Sequence, residues 1–592
     1  MSIKYINGNR LYNAFLAGGK AVINDRNYLN KINVFPVPDS DTGTNMASTM
    51  HSIIQGAVQN PSLKKTLNSI ADAAIYGARG NSGLIFAQFI YGINKEISQE
   101  MKASTHSFGE SVKKAIKHTY KSIVNPVEGT MITVMKDWAE AVYNYRTKTN
   151  DFSELFSLSL PAAKKSLKDT PKKLSILAKN GVVDAGAKGF VDFLEGIVHF
   201  IKKGRLKNIS KPQIQWEDTF IHSHSDRNSI GERYCTEAFL KGSHVDLDSL
   251  RKDIQEFGSS AIVAGSENKV RIHIHTNHPE QLFSKVKNYG SIINIKADDM
   301  VKQFEASHNR KADIALITDS ACDIPAETLD QHQIHVVPLN LHFKDSVFLD
   351  KITIHPDQFY NLLKTQKQHP TSSQPSPKTV QNLFSFLSTH YDSIIAVTIS
   401  SKLSGVYEQF RNAAEKINSK DIKIIDSKNL SASEGLIVLK IAQEIQKGKD
   451  FNQIKESVDE WVKKTKILVD INTLKYMVRG GRVSPLKGFV AKILNLKPII
   501  SLDEEGKATA YGKSFRRKSN MKKIIRELKI LNKTQGIWNY AVVHAQDPER
   551  AHSYANKLNQ EIGKKPAYIV DISPVVGVHN GLGAVAIAVM IQ

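Results

Sequence analysis

The sequence predicts a multidomain protein: an all-helical N-terminal part, a small α/β unit in the middle and a C-terminal α/β part built on a parallel sheet. Three observations carry this expectation. Apolar residues recur at three- and four-residue spacing through roughly the first 200 residues. A polar, aperiodic stretch follows, and from Asp313 onward strand–turn–helix units repeat. At 592 residues the chain is too long for one core, and roughly two to four domains are expected.

The helical part is read as residues 1–205. SFGESVKKAIKHTYKSIV and TMITVMKDWAEAVYNY show the helical period, and short loops rich in Gly, Asp, Asn, Ser and Thr lie between such segments. KKGRLKNISKPQIQWEDTFIHSHSDRNSIGER contains Pro212, lacks periodicity and reads as a linker. Residues 206–310 hold that linker and the middle unit: strand YCTEAFL, helix DLDSLRKDIQEF, strands AIVAG and VRIHIHT, and helix PEQLFSKVKNY. The polar SHNRKAD separates it from residues 311–592. There ADIALITDSACD, SIIAVTISSKLSG and DIKIIDSKNLSAS each run as a β-branched apolar strand, a Ser/Asp turn and a helix. Parallel sheets bind ligands at the carboxyl ends of their strands, where these Ser and Asp residues fall.

Composition narrows the class. The net charge of +22 invites a nucleic-acid reading, but the lysines are scattered along helices and no basic tail or stripe stands out. No nucleic-acid partner is expected; the charge suits solvated helix faces, or anionic ligands and membrane surfaces. Two cysteines, Cys235 and Cys322, cannot make a disulfide framework and suit a reducing compartment. MSIKYINGNR lacks the apolar run of a signal peptide, and GLGAVAIAVMIQ falls short of the ~20 residues that a membrane helix needs. A cytoplasmic protein, at most peripheral to the membrane, is expected.

Three loops of the helical part share one composition. In PVPDSDTGTNM, Asp39 and Asp41 stand two apart ahead of Thr42, Gly43, Thr44 and Asn45, a pattern that can converge on hard divalent cations. In GARGNSG, glycines let backbone N–H groups approach phosphate and Ser82 offers a hydroxyl at a helix start. PVEGTMITV brings Gly129, Thr130 and Thr133 to another helix start. One such loop is ordinarily only a cap or a turn; three in one helical part point to a phosphate site. No P-loop sequence is present.

PVPDSDTGTNM, GARGNSG, PVEGTMITV and NGVVDAGAKGF, in this order, resemble the ATP-binding subunit of bacterial fatty acid kinase, itself similar to the nucleotide-binding L domain of dihydroxyacetone kinases. The resemblance implies an eight-helix barrel that holds ATP through Mg²⁺ at its mouth. It makes Asp39 and Asp41 metal ligands, places Thr42, Thr44, Asn45, Ser82, Gly129 and Thr130 around the phosphates, and puts Asp184 and Gly186 near the nucleoside. Two positions depart from the pattern. A third aspartate of dihydroxyacetone kinases is Val34 here, with Asn33 as a substitute, and the usual PDGDTG has Ser40 in place of its glycine.

In VRIHIHTN, His273 and His275 leave one face of a strand, and Cys235 lies on another strand of the same unit. One thiolate and two imidazoles form a Zn²⁺ set with an open fourth position; the alternative is two surface histidines and a buried thiol. The YCTE and HIHTN signatures resemble the same kinase subunit, which implies that the three cluster.

ITDSACDIP, PTSSQPSP, TISSKLSGVY, VRGGRVSP and PVVGVHNGLG resemble, in order, the DegV family of fatty-acid-binding proteins. A fatty acid carboxylate is ionised at neutral pH, so its phosphorylation needs charge neutralisation and alignment more than a strong base. Arg482 supplies fixed charge, His579 a hydrogen bond or proton, and Ser372, Ser401 and Ser404 orientation of the carboxylate. The expected reaction is ATP + fatty acid → ADP + acyl phosphate, with Asp39, Asp41, Arg482 and His579 as its catalytic groups. An acyl-phosphate-accepting acyltransferase at the membrane and a homodimer are the partners this implies. The alternatives are a dihydroxyacetone-type kinase and a lipid-binding protein with an idle barrel.

Overall fold

The helical period of the first part produces eight long helices among the described residues: α1 (Gly8–Asn24), α2 (Thr42–Gly56), α3 (Leu63–Gly77), α4 (Gly80–Glu96), α5 (Thr105–Ser122), α6 (Met131–Tyr145), α7 (Phe152–Lys168) and α8 (Ala185–Lys203). Each packs on the next, and α8 returns to α1, which closes a ring. Its interior is apolar. Phe86, Phe89, Trp138, Phe190 and Phe193 meet there edge to face at centroid separations of 4.9–6.3 Å, the geometry that the aromatic quadrupole favours.

Contacts between helix starts sort them to two ends, α1, α3, α5 and α7 at one and α2, α4, α6 and α8 at the other. The odd ends are capped by their own side chains. Asn7, Ser62, Ser104 and Asp151 each accept a backbone N–H of the first turn of α1, α3, α5 and α7. Gly8 N donates to Pro61 O at 3.1 Å and Phe152 N to Ile3 O at 2.9 Å, which gathers these starts together. At the other end Asp41, Arg79 and Thr130 precede α2, α4 and α6 without capping them by their own side chains, whereas Asp184 caps α8.

Alternation along the middle segment builds an antiparallel sheet from β1 (Tyr234–Lys241), β2 (Gly258–Ser266), β3 (Lys269–Thr276) and β4 (Ser291–Asp299), in the order β2-β3-β1-β4. One face is aliphatic, with Ala238, Leu240, Ile272 and Ile274 buried, and α9 (Leu247–Gln255) packs on β2 and on α10 (Pro279–Val286). The other face meets the helical ring: β2 and β3 pack on α3 and α4, Gly265 N donates to Gln88 Oε1 at 2.8 Å, and Tyr76 lies edge-on to Phe239 at 5.4 Å. The last strand and the helix α11 (Met300–His308) after it go beyond the sequence reading.

The structure, a computed structural model, describes residues 2–36, 40–98, 101–203, 231–417, 421–481, 497–514 and 516–592. The chain forms two compact units, Met1–His308 and Asn309–Gln592. In the second, β5 (Ile314–Asp319), β6 (His335–Val337), β7 (Ser393–Thr398) and β8 (Asp421–Asp426) form the expected parallel sheet, in the order β8-β7-β5-β6. A second sheet of six strands accompanies it. Its centre pairs β9 (Thr465–Asp470) antiparallel with Val585–Ile591, the strand that ends the chain, and the latter antiparallel with Ile537–His544. The apolar run GLGAVAIAVMIQ is therefore the middle of a buried sheet. No described helix is long and apolar enough to cross a membrane.

Candidate active site

The end of the ring where α2, α4, α6 and α8 begin gathers the four motif loops. Thr42 donates its hydroxyl to Asn33 Oδ1 at 2.8 Å, and Asn30 takes both edges of Thr44, Nδ2 to Oγ1 at 2.9 Å and Oδ1 from the backbone N at 3.0 Å. A Cβ on Gly80 would lie 2.3 Å from Asn45 Nδ2, so the first and second loops touch and only glycine allows it. A Cβ on Gly186 would meet Ser82 Oγ at 2.7 Å, Asp184 Oδ1 at 3.4 Å and Met131 Cβ at 3.4 Å, which joins the second, third and fourth loops. Thr130 donates to Val127 O at 2.8 Å, and Gly129 N to Thr133 Oγ1 at 2.9 Å. Asp41 is half-buried at the start of α2. Asp39 lies outside the described residues.

Two details refine the expectations. Ser40 has φ 54°, in the left-handed region where glycine is strain-free, which accounts for the glycine of the usual pattern. Asp184 is buried and accepts Ala187 N at 2.7 Å. Burial outweighs that bond and one from Met131 N and pushes its carboxyl up to about 6. Its partners make it a pin between the starts of α6 and α8.

In the middle sheet, registers place Cys235, His275, Ser259 and Asp298 in one row across the strands, and Glu237, His273, Ile262 and Lys296 in the next. Directly opposed residues share a face. The Cys235, His273 and His275 donor atoms all lie within 4.8 Å of one another. A tetrahedral zinc site needs donors about 3.4–3.8 Å apart, a small contraction. Both ring nitrogens of His273 are buried and make no hydrogen bond, a penalty that a metal ligand removes. The residues fit the ion. Burial pushes the Cys235 thiol well up, against the pull of Lys296, so loading would release its proton.

Sequence reasoning missed Glu237 of YCTE. It is 2% exposed, and its Oε1 accepts Gly80 N at 2.7 Å from the second loop while Arg271 Nη2 holds Oε2 at 2.7 Å. Burial would raise its carboxyl; Arg271, His273 and Lys296 outweigh that and hold it well below the usual range. Its place two residues after Cys235 on one strand was the available signal.

In the second unit, Ser372, Ser404 and His579 line one cavity with Ile399, Leu403 and Met477; its empty volume, open mouth included, is about 710 Å³. Ser372 Oγ lies 3.2 Å from His579 Nε2. A Cβ on Gly480 would fall 2.0 Å from His579 Nδ1, so the glycine turn that leads to Arg482 backs onto the imidazole. Arg482 itself lies outside the described residues. Ser401 is not among the lining residues; its backbone N donates to Asp426 Oδ1 at 3.1 Å. The short helix Pro574–Asn580 that carries His579 is anchored at its start: Asp323 accepts Ser573 N at 2.9 Å, and Asp350 accepts Val575 N at 3.2 Å.

Three family models match in succession: the DAK2 domain over residues 36–199, the FakA-like middle domain of fatty acid kinase over 231–307, and the DegV family over 313–592. An uncharacterized protein of Staphylococcus epidermidis is 32% identical over 350 residues, 55% of this chain and 63% of its own length. One of Staphylococcus aureus is 33% identical over 313 residues, 51% of this chain and 57% of its own. The chain thus spans less than two thirds of the length of these relatives. Among solved structures, DegV of Bacillus subtilis, described as a fatty acid binding protein, is 28% identical, with a TM-score of 0.45, and covers 48% of this chain and 100% of its own. From first to last, the chain joins a DAK2 domain, a FakA-like middle domain and a DegV-family domain.

Proposed function

We propose that the chain transfers the γ-phosphoryl group of ATP to the carboxylate of a bound fatty acid and forms ADP and acyl phosphate, for use in phospholipid synthesis. The observation that carries this reading is the convergence of four loops, through Asn45–Gly80 and Ser82–Gly186–Asp184, at the one end of the helical ring where α2, α4 and α6 lack caps from their own preceding residues. Backbone donors at these helix starts, held by Asn30, Glu237 and Asp184 from other loops and strands rather than by caps of their own, suit exchange for a triphosphate. The domain reading behind it is 1–205 for the nucleotide, 206–310 for the middle unit and 311–592 for the lipid.

Asp41, with Asp39, would hold Mg²⁺, which when bound neutralises phosphate charge and orients the γ-phosphoryl. Thr42, Thr44, Asn45, Ser82, Gly129 and Thr130 frame the phosphates, with Thr42 and Thr44 oriented by Asn33 and Asn30. Asp184 and Gly186 border the nucleoside. In the second unit Ser372 and His579, already 3.2 Å apart, would grip the carboxylate. Ser404 would join them from the cavity wall and Arg482 would offset the charge of the arriving phosphate; Ser401 rests on its motif alone. The carboxylate oxygen attacks phosphorus, ADP leaves, and no base is required. Cys235, His273 and His275 would hold Zn²⁺. A homodimer and a membrane acyltransferase that accepts the product complete the proposal, with the protein cytoplasmic and peripheral to the membrane.

Incubation with [γ-³²P]ATP, Mg²⁺ and oleate, followed by hydroxylamine, tests it. An acyl hydroxamate is expected. Turnover with dihydroxyacetone instead would assign a ketone kinase. Bound lipid without turnover would assign an idle barrel, a reading that Ser40 at φ 54° favours.

A further inference from the structure

Glu237 stands between two sites that the sequence treats separately. On one side its Oε1 accepts Gly80 N, the first N–H of α4 in the phosphate loop, at 2.7 Å. On the other side the same oxygen lies 3.6 Å from His273 Nδ1, just beyond a hydrogen bond. The second carboxylate oxygen is fixed by Arg271 at 2.7 Å. A carboxylate held at one oxygen can pivot the other between two donors. Resting on Gly80, it puts negative charge at the start of α4, where a phosphate would otherwise gain from the helix dipole. It also occupies the donor that the phosphate would use.

We propose that Glu237 is a positioning residue that couples metal occupancy of the Cys235–His273–His275 cluster to nucleotide affinity, by exchanging its Oε1 between Gly80 N and His273 Nδ1. The inference rests on the reading of GARGNSG as a phosphate loop and on the fit of the cluster to zinc. A histidine that ligates through Nε2 turns Nδ1–H into a stronger donor, and metal-bound histidines characteristically donate their other N–H to a carboxylate. With His273 so engaged, Oε1 swings to Nδ1 and Gly80 N–H is released to the phosphate. The exchange runs equally in reverse. A phosphate that takes Gly80 N–H frees Oε1 for His273 and tightens the metal by the same factor, as linkage demands. Glu237 is therefore neither a metal ligand nor a phosphate contact; it decides which of the two keeps its donor.

The full-length protein is stripped of metal with a chelator, and binding of Mg²⁺·AMP-PNP is measured by calorimetry with and without zinc. Zinc should tighten the nucleotide by about five-fold or more. In the converse titration Mg²⁺·AMP-PNP should tighten zinc by the same factor. Glu237→Gln removes the charge at the start of α4. This variant should bind Mg²⁺·AMP-PNP without zinc as tightly as the zinc-loaded wild type does, and zinc in excess should change nothing further. A merely structural role predicts the reverse, a weaker nucleotide in the variant. Zinc uptake by the wild type that leaves nucleotide affinity unchanged would overturn the coupling while leaving both sites standing. Absence of zinc uptake would overturn it together with the metal reading, and absence of nucleotide binding together with the phosphate-loop reading. Both wild-type titrations decide the matter even if the variant fails to fold.

Discussion

The two ends of the helical ring use the same chemistry for opposite purposes. At one end, Asn7, Ser62, Ser104 and Asp151 direct their side chains to the first N–H groups of their own helices. At the other, Asp41, Arg79 and Thr130 make no such cap; Thr44 N, Gly80 N and Met131 N reach the side chains of Asn30, Glu237 and Asp184 instead, and glycines at 80 and 186 bring the loops against one another. Every helix start presents orphan donors. A fold that satisfies them mostly within each helix on one side, and through distant loops and strands on the other, marks the second side as the one whose donors can be exchanged for a ligand's. Caps made within a helix report on stability; donors held by distant side chains in a close-packed, glycine-bearing setting report on function.

Substitutions at the two ends should therefore fail differently. Asp41→Ala is expected to lower ATP-dependent turnover about 10³-fold, as loss of a metal ligand at a charged transition state does, while lipid extracted from the second unit is unchanged; normal turnover would remove that second end from the chemistry. Gly80→Ala forces a Cβ to within 2.3 Å of Asn45 Nδ2 at φ 58°, and calorimetry should show Mg²⁺·AMP-PNP bound about 30-fold more weakly, roughly 2 kcal/mol. Asp184 sharpens the contrast through pH. Its folded value of about 6 lies above the ordinary 3.8 of an aspartate, so its contribution to stability is fully present below pH 3.8 and is lost as pH rises through about 6. Asp184→Asn should remove up to about 2 kcal/mol of that decline in denaturant titrations run between about pH 4 and 7; an unchanged slope would contradict its burial. At the capped end, Asp151→Ala should cost about 1 kcal/mol of stability and leave turnover alone. Smallest of all, Ser40→Gly should raise the midpoint of thermal unfolding, by about 0.5–1 kcal/mol in free energy, because glycine occupies φ 54° without strain.

Much of this was legible in the sequence because it depends on period. The helical spacing of SFGESVKKAIKHTYKSIV and the strand–turn–helix rhythm after Asp313 are local, and both elements stand where the pattern put them. Strand direction is not local. Val585–Ile591 reads as a continuous apolar run and Ile537–His544 as a largely apolar one, and buried strands look alike whether their neighbours are parallel or antiparallel. The six-stranded sheet therefore stayed hidden. Ser291–Asp299 was missed for a different reason: as an edge strand with mixed burial it lacks a clean alternation.

The sites divide in the same way. Spacing brought His273 and His275 onto one face, and the neighbouring strand added Cys235. Glu237 sits on that face too, but what gives it meaning is Gly80, 157 residues away. Asp323 and Asp350, which anchor the helix of His579, were part of a quoted motif or of none, because their partners are backbone N–H groups that no side-chain pattern announces. Asp39 and Arg482 lie outside the described residues, so their roles rest on their motifs.

Phosphoryl transfer to a carboxylate leaves an isotopic trace that hydrolysis does not. Oleate labelled with oxygen-18 at both carboxylate oxygens, incubated with ATP and Mg²⁺ and then cleaved with hydroxylamine at the acyl carbon, should release phosphate that carries one labelled oxygen. Phosphate released without any label would contradict attack by the fatty acid on ATP.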